Sequence, residues 1–178
     1  MKFVSRAGEK LQFALEQFGI SVKDLVVADF GSSTGGFVDC LLQNGAKKVY
    51  SVDTAYGELA WKLRNDTRVV VIERTNAMHV VLPEKVDMVT VDTSWTKQKN
   101  ILPSAFANLK PGGAVISRIK PHYEAGKGKL KVEEVEQVLQ VVKEDIKNVG
   151  EKIEVLVESP ILGEKGKNRE FLVLITCV

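Results

Sequence analysis

Apolar positions along the chain follow two alternating rhythms. Compact apolar runs at 25–30, 48–53, 68–72, 86–91 and 114–119 read as strands, and between them apolar residues recur at three- and four-residue spacing. The stripe Ala7, Leu11, Ala14, Leu15 and Phe18 predicts a first helix over 5–18 that Ser5 caps and Gly19 ends. Further helices are predicted through Phe37, Val38, Leu41 and Leu42, through Leu59, Ala60 and Leu63, and through Ile101, Ala105 and Leu109, where Pro111-Gly112-Gly113 stops the last. A long amphipathic helix follows, with Val132, Val135, Val138, Leu139, Val142 and Ile146 on one side. Two final strands, 152–157 and 170–177, flank a polar loop at 159–169. Strands alternating with helices predict an α/β fold: a doubly wound, mostly parallel, seven-stranded sheet whose last strand runs antiparallel.

The stretch ADFGSSTGGF at 28–37 lies where the first sheet strand ends and a helix begins. Glycines there let the backbone approach a ligand, and unpaired N–H groups at a helix start favour an anionic group. A P-loop needs Gly-Lys-Ser/Thr, but Phe37 and Val38 follow Gly36. A dinucleotide fingerprint needs glycine at 33, where the chain has Ser33. The remaining pattern, Asp29-x-Gly31-x-x-x-Gly35, resembles the first motif of class I S-adenosylmethionine (SAM) methyltransferases, and the acid suits the ammonium of that ligand. Asp29, Gly31, Ser33, Thr34, Gly35 and Gly36 are therefore the candidate cradle. Another nucleotide cofactor, or a purely structural turn, stays open at this point.

In such sheets the ligand sits outside the carboxyl ends of the strands. Asp29, Asp53, Asp92 and Lys120 stand at those ends, and an antiparallel last strand would bring Glu170 to the same edge. Asp53 is placed to accept from ribose hydroxyls or to cap the next turn; Asn76 could read an adenine edge or simply form a turn.

With 178 residues the chain is expected to form one domain over 1–178, its first 20 residues giving a helix that contributes to the site. No apolar run is long enough to cross a bilayer and the start shows no signal-peptide pattern. Cys40 and Cys177 fall on patterns expected to be buried, so both are read as reduced core thiols, suiting a cytoplasmic protein. The net charge of +2 matters less than two clusters, Lys127, Lys129 and Lys131, then Lys165, Lys167 and Arg169, which would grip phosphates or keep loops solvated. His79 and His122 lack metal-ligand spacing, and no metal is expected.

Segments across nearly the whole chain carry a more specific match: VSRAGEKL, ADFGSSTGGFVDCLLQNGAKKVYSVDTAYGELAWKLR, VIERTNA, VDTSW, LKPGGAVISRIKPHYEAGK and GKNREFL. They resemble the TlyA-type family of haemolysins and rRNA methyltransferases, whose catalytic domain is an FtsJ-like RNA 2′-O-ribose methyltransferase. The resemblance implies a Rossmann-like SAM-dependent fold and RNA, above all ribosomal RNA or ribosomal subunits, as partner. It also implies a Lys-Asp-Lys-Glu tetrad, matched by Lys10, Asp92, Lys120 and Glu170. In that scheme Lys120 is the base, Asp92 orients it, and Glu170 with Lys10 positions the hydroxyl. Relatives usually carry an S4-like RNA-binding domain ahead of this one, whereas here Met1 lies almost at the first motif of the catalytic domain, so that domain is not expected; Met78 and Trp95 stand where arginine and phenylalanine are usual. Trp95 could stack on a base or ribose. The competing readings are a non-catalytic or partner-dependent SAM- or RNA-binding module, a membrane-active haemolysin and a nicotinamide-dependent oxidoreductase.

Overall fold

The computed structural model describes residues 2–163 and 167–177. Its elements run α1 (Ala7–Phe18), β1 (Val26–Phe30), α2 (Gly36–Gln43), β2 (Lys48–Val52), α3 (Trp61–Arg64), β3 (Val69–Ile72), a 3-10 turn (Ala77–His79), β4 (Val86–Val91), α4 (Gln98–Ala107), β5 (Leu109–Ile119), α5 (Pro121–Glu124), α6 (Val132–Asn148), β6 (Glu151–Glu158) and β7 (Phe171–Cys177). The strands form one sheet in the order β3-β2-β1-β4-β5-β7-β6. The first five pair parallel, while β7 is antiparallel to both β5 and β6.

Period-two alternation splits the core into two layers. Val27 and Leu172 face one side with Leu11, Val38 and Leu41, so α1 and α2 cover that face. Ala28 and Val173 face the other with Ile101, Leu102, Leu139 and Ile146 from α4 and α6. Each fully buried leucine or isoleucine in these layers contributes about 1.5–3 kcal/mol.

Three local expectations are corrected. Ser5 does not cap α1: the residue at the cap is Arg6, without a side-chain cap bond, and the Ser5 carbonyl accepts from Gly8 N at 3.1 Å. The Ser5 hydroxyl instead faces Gly36, where a Cβ would collide with it. Helix α4 ends at Ala107, and Pro111-Gly112-Gly113 belongs to β5. Leu109 pairs with Val86 and Ala114 with Met88, so the intervening residues bulge; proline, which has no N–H to give the ladder, is tolerated there. Cys177 is exposed at the end of β7, whereas Cys40 is buried in α2.

Candidate active site

The glycine turn after β1 is tight for a physical reason. At Gly31, with φ +86, a Cβ would lie 2.9 Å from the Asp92 carbonyl oxygen, so only glycine lets the β1 and β4 ends approach this closely. Gly35 has φ +97 and its Cβ would run into the Leu63 side chain, while Gly36 begins α2. Ser33 and Thr34 are exposed on the loop between them.

Asp29 is fully buried at the cavity wall. Its Oδ1 accepts from Thr90 Oγ1 at 2.6 Å, and its Oδ2 is buried with no hydrogen-bond partner among the described residues. Burial is the main reason its carboxyl is raised to about 7; Thr90 opposes the shift and the charge of Asp92 adds to it. An unpartnered, desolvated carboxylate oxygen is suited to an incoming cation.

Asp53, just past β2, accepts from Ser33 N at 2.7 Å and Ala55 N at 2.8 Å. It caps its turn and pins the glycine loop, with a lone pair on each oxygen left to accept from a ligand. Asn76 is the cap of the 3-10 turn, its Oδ1 accepting from Met78 N at 2.9 Å, which leaves its NH2 group. Both line a cavity of about 270 Å³ that shares Gly31, Ser33, Asp92 and Ser94 with a larger one of about 640 Å³.

The larger cavity brings together Lys10, Asp29, Asp92, Lys120 and Glu170. Register explains the meeting. Ile119 pairs with Phe171, which sets Lys120 and Glu170 abreast one position further on, and Asp92 follows the Val91–Ser117 pair. Helix α1 brings Lys10 over the same edge by packing against α2 at Gly8, whose Cβ would meet the Gly36 carbonyl at 2.7 Å. Lys10 Nζ lies 2.5 Å from Glu170 Oε2, and Lys120 Nζ lies 2.7 Å from Asp92 Oδ1 while donating to the Thr93 carbonyl at 3.1 Å. The Lys120–Asp92 contact is an ion pair off the direction of a good hydrogen bond.

Sequence reasoning missed the cation between these pairs. Arg118 donates from Nη1 to Asp92 at 2.7 Å and from Nε to Glu170 at 2.8 Å. Burial would raise the Asp92 carboxyl, but Lys120 and Arg118 overcome it and hold it below its ordinary value. Lys10 is held low, first by burial and then by Arg118, against the pull of Glu170 and Asp92. The signal for Arg118 was its place two residues before Lys120, which puts both side chains on one face of β5. His122 was also passed over: its Nδ1 is buried without a hydrogen-bond partner among the described residues, and burial lowers its pKa.

Trp95, next to Ser94 of the cavity lining, is 61% exposed and stacks on Tyr123, which also lines the cavity, ring centroids 4.1 Å apart. Of the basic clusters, Lys127, Lys129, Lys131 and Lys167 are exposed, Lys127 pairs with Glu134, Arg169 pairs with Glu158 and Glu136, and Lys165 lies outside the described residues. Among the described residues there is no group of side chains that could hold a metal ion and no helix long and apolar enough to cross a membrane.

Comparison with known proteins decides the family. The sequence model of the FtsJ-like methyltransferases matches residues 3–175. The chain belongs to the FtsJ-like methyltransferase family. It is 48% identical over 134 residues to a Bacillus subtilis protein named as an rRNA methyltransferase, YqxC, covering 71% of this chain and 47% of that protein. It is 43% identical over 132 residues to the 16S/23S rRNA (cytidine-2′-O)-methyltransferase TlyA of Mycobacterium tuberculosis, covering 72% of this chain and 49% of TlyA. The chain thus spans about half the length of these two relatives. A crystal structure from Lactococcus lactis, named as a hemolysin, superposes with a TM-score of 0.92 at 37% identity, over 98% of this chain and 88% of that one. The expected fold is therefore correct: an α/β, mostly parallel seven-stranded sheet of the class I methyltransferase type. Methyltransferases of the FtsJ-like family use SAM as methyl donor.

Proposed function

We propose that the chain catalyses SAM-dependent methylation of a ribose 2′-hydroxyl in RNA, with ribosomal RNA as the substrate class. The observation that carries this reading is the buried Lys120–Asp92 pair in one cavity with the unpartnered oxygen of Asp29 and the glycine turn. The family and the printed activity of TlyA support the RNA substrate.

The residues fit the cofactor. Asp29 Oδ2 would take its ammonium, the loop from Gly31 through Gly36 would receive its carboxylate at the start of α2, and Asp53 and Asn76 in the adjoining cavity would hold ribose and adenine. SAM supplies an electrophilic methyl. A ribose hydroxyl is a weak nucleophile until it loses its proton, and Lys120 Nζ, once it has released its own proton and stands as the neutral amine, would accept that proton. Asp92 would orient Lys120 and stabilise the ammonium as it forms, while Lys10 and Glu170 hold the hydroxyl in place.

The test is Lys120→Ala, assayed by transfer of labelled methyl to ribosomal subunits and by calorimetry with SAM. Loss of transfer by about a hundredfold or more with SAM affinity retained is expected. Undiminished turnover would remove Lys120 as the base. A wild-type chain that binds SAM and RNA but transfers nothing would favour the non-catalytic or partner-dependent binding module.

A further inference from the structure

Arg118 has no part in the four-residue scheme, yet its side chain is in contact with both of the scheme's carboxylates, Asp92 and Glu170. Besides the two hydrogen bonds already described, its Nη2 stands 2.6 Å from Glu170 Oε2, and the side chain is 11% exposed. Guanidinium is a planar, rigid fork, whereas a lysine ammonium is a point charge on a flexible stem. Without Arg118 the cavity would hold two separate ion pairs, Lys10–Glu170 and Lys120–Asp92, on backbones set by the sheet register but with no rigid side chain to fix the distance between the two carboxylates.

We propose that Arg118 is a positioning residue of the methyl-transfer site, clamping Asp92 and Glu170 at a set separation so that Lys10 and Lys120 are held across one groove. This rests on the function proposed above. The clamp also has an electrostatic side. Three cations share two carboxylates, so each carboxylate holds its lysine's proton less firmly, and Lys10 is already displaced downward with Arg118 as the second cause after burial. The charged and titratable groups that line the cavity with Lys10 are Arg6, Asp29, Asp92, Arg118, Lys120, His122, Tyr123 and Glu170.

Two variants separate charge from shape. Arg118→Met keeps the length and leaves each remaining carboxylate with a lysine, so the fold is expected to survive, as read by thermal melting. Arg118→Lys keeps the charge but loses the fork. In protein carrying 13C-labelled lysine, NMR titration of the Lys10 side chain should move to higher pH in Arg118→Met and stay near wild type in Arg118→Lys. Methyl transfer should fall about a hundredfold in kcat for Arg118→Met, the scale of a small misplacement of reacting groups, and about tenfold for Arg118→Lys, with SAM affinity unchanged in both. Full rescue of kcat by Arg118→Lys would overturn the clamp, and so would an unmoved Lys10 titration in a folded Arg118→Met. If Arg118→Met does not fold, the kcat of Arg118→Lys decides alone. A wild-type chain inactive on RNA would sink the proposed function while leaving the NMR comparison to judge the clamp.

Discussion

Lys10 and Glu170 are 160 positions apart in the chain, yet their side chains meet at 2.5 Å with each 3% exposed. Breaking a buried pair strands a charge in a poorly solvating interior and costs about 3–5 kcal/mol. The two partners are unequal, because Glu170 also serves Arg118. Glu170→Gln should therefore fall in that range, and Lys10→Met, which leaves Glu170 with Arg118, should cost clearly less. Urea denaturation of the two variants and their double mutant would check this; equal costs would contradict the shared carboxylate.

The Asp29 carboxyl gives a pH signature. Its native pKa is raised to about 7 from 3.8, so the folded state binds this proton more tightly than the unfolded state. Its contribution thus favours folding most at low pH and is lost as pH rises through about 7. Asp29→Asn should melt no lower than wild type at pH 8 while binding SAM at least about tenfold more weakly, since one lost charge contact is worth about 1.4 kcal/mol or more. In the unmutated protein, SAM affinity by calorimetry should weaken below pH 7, with proton release on binding.

Gly8 is where α1 seats itself against α2. A Cβ at this position would lie 2.5 Å from the Phe3 ring and 2.7 Å from the Gly36 carbonyl oxygen, and that backbone oxygen cannot swing aside. Gly8→Ala should destabilise by about 1–3 kcal/mol, as overpacking does. Because the displaced helix carries Lys10, methyl transfer should suffer more than SAM binding, measured side by side on the folded variant.

The two thiols should differ sharply. Burial raises the Cys40 thiol to about 12, and Cys177 is exposed. A thiol reagent at pH 8 should label Cys177 quickly and Cys40 only on unfolding. Cys177→Ser should abolish the fast reaction.

The strands and their order of appearance were legible in the sequence because alternation and apolar runs are local. So was the glycine turn after β1, where Gly31 and Gly35 stand at positive φ. The helix start at Arg6 and the bulged Pro111-Gly112-Gly113 strand were not, since tertiary contacts at Gly36 and β4 override local signals there. Spacing could not reveal Lys10 beside Glu170; the motif resemblance brought those two forward, and the seating of α1 against α2 at Gly8 explains why they can meet. Arg118 was hidden because an arginine inside a strand reads as an ordinary edge charge until the neighbouring strands are known.

The sheet order has a consequence for biosynthesis. The strand latest in sequence among those of the sheet, β7, is not at the rim but is inserted between β5 and β6. A nascent chain can complete the β1–β3 half while still being translated, but β5 must wait with an unpaired edge until Phe171–Cys177 emerges. Stalled or clipped chains that end before that segment would present two open strands, a target for quality-control proteases.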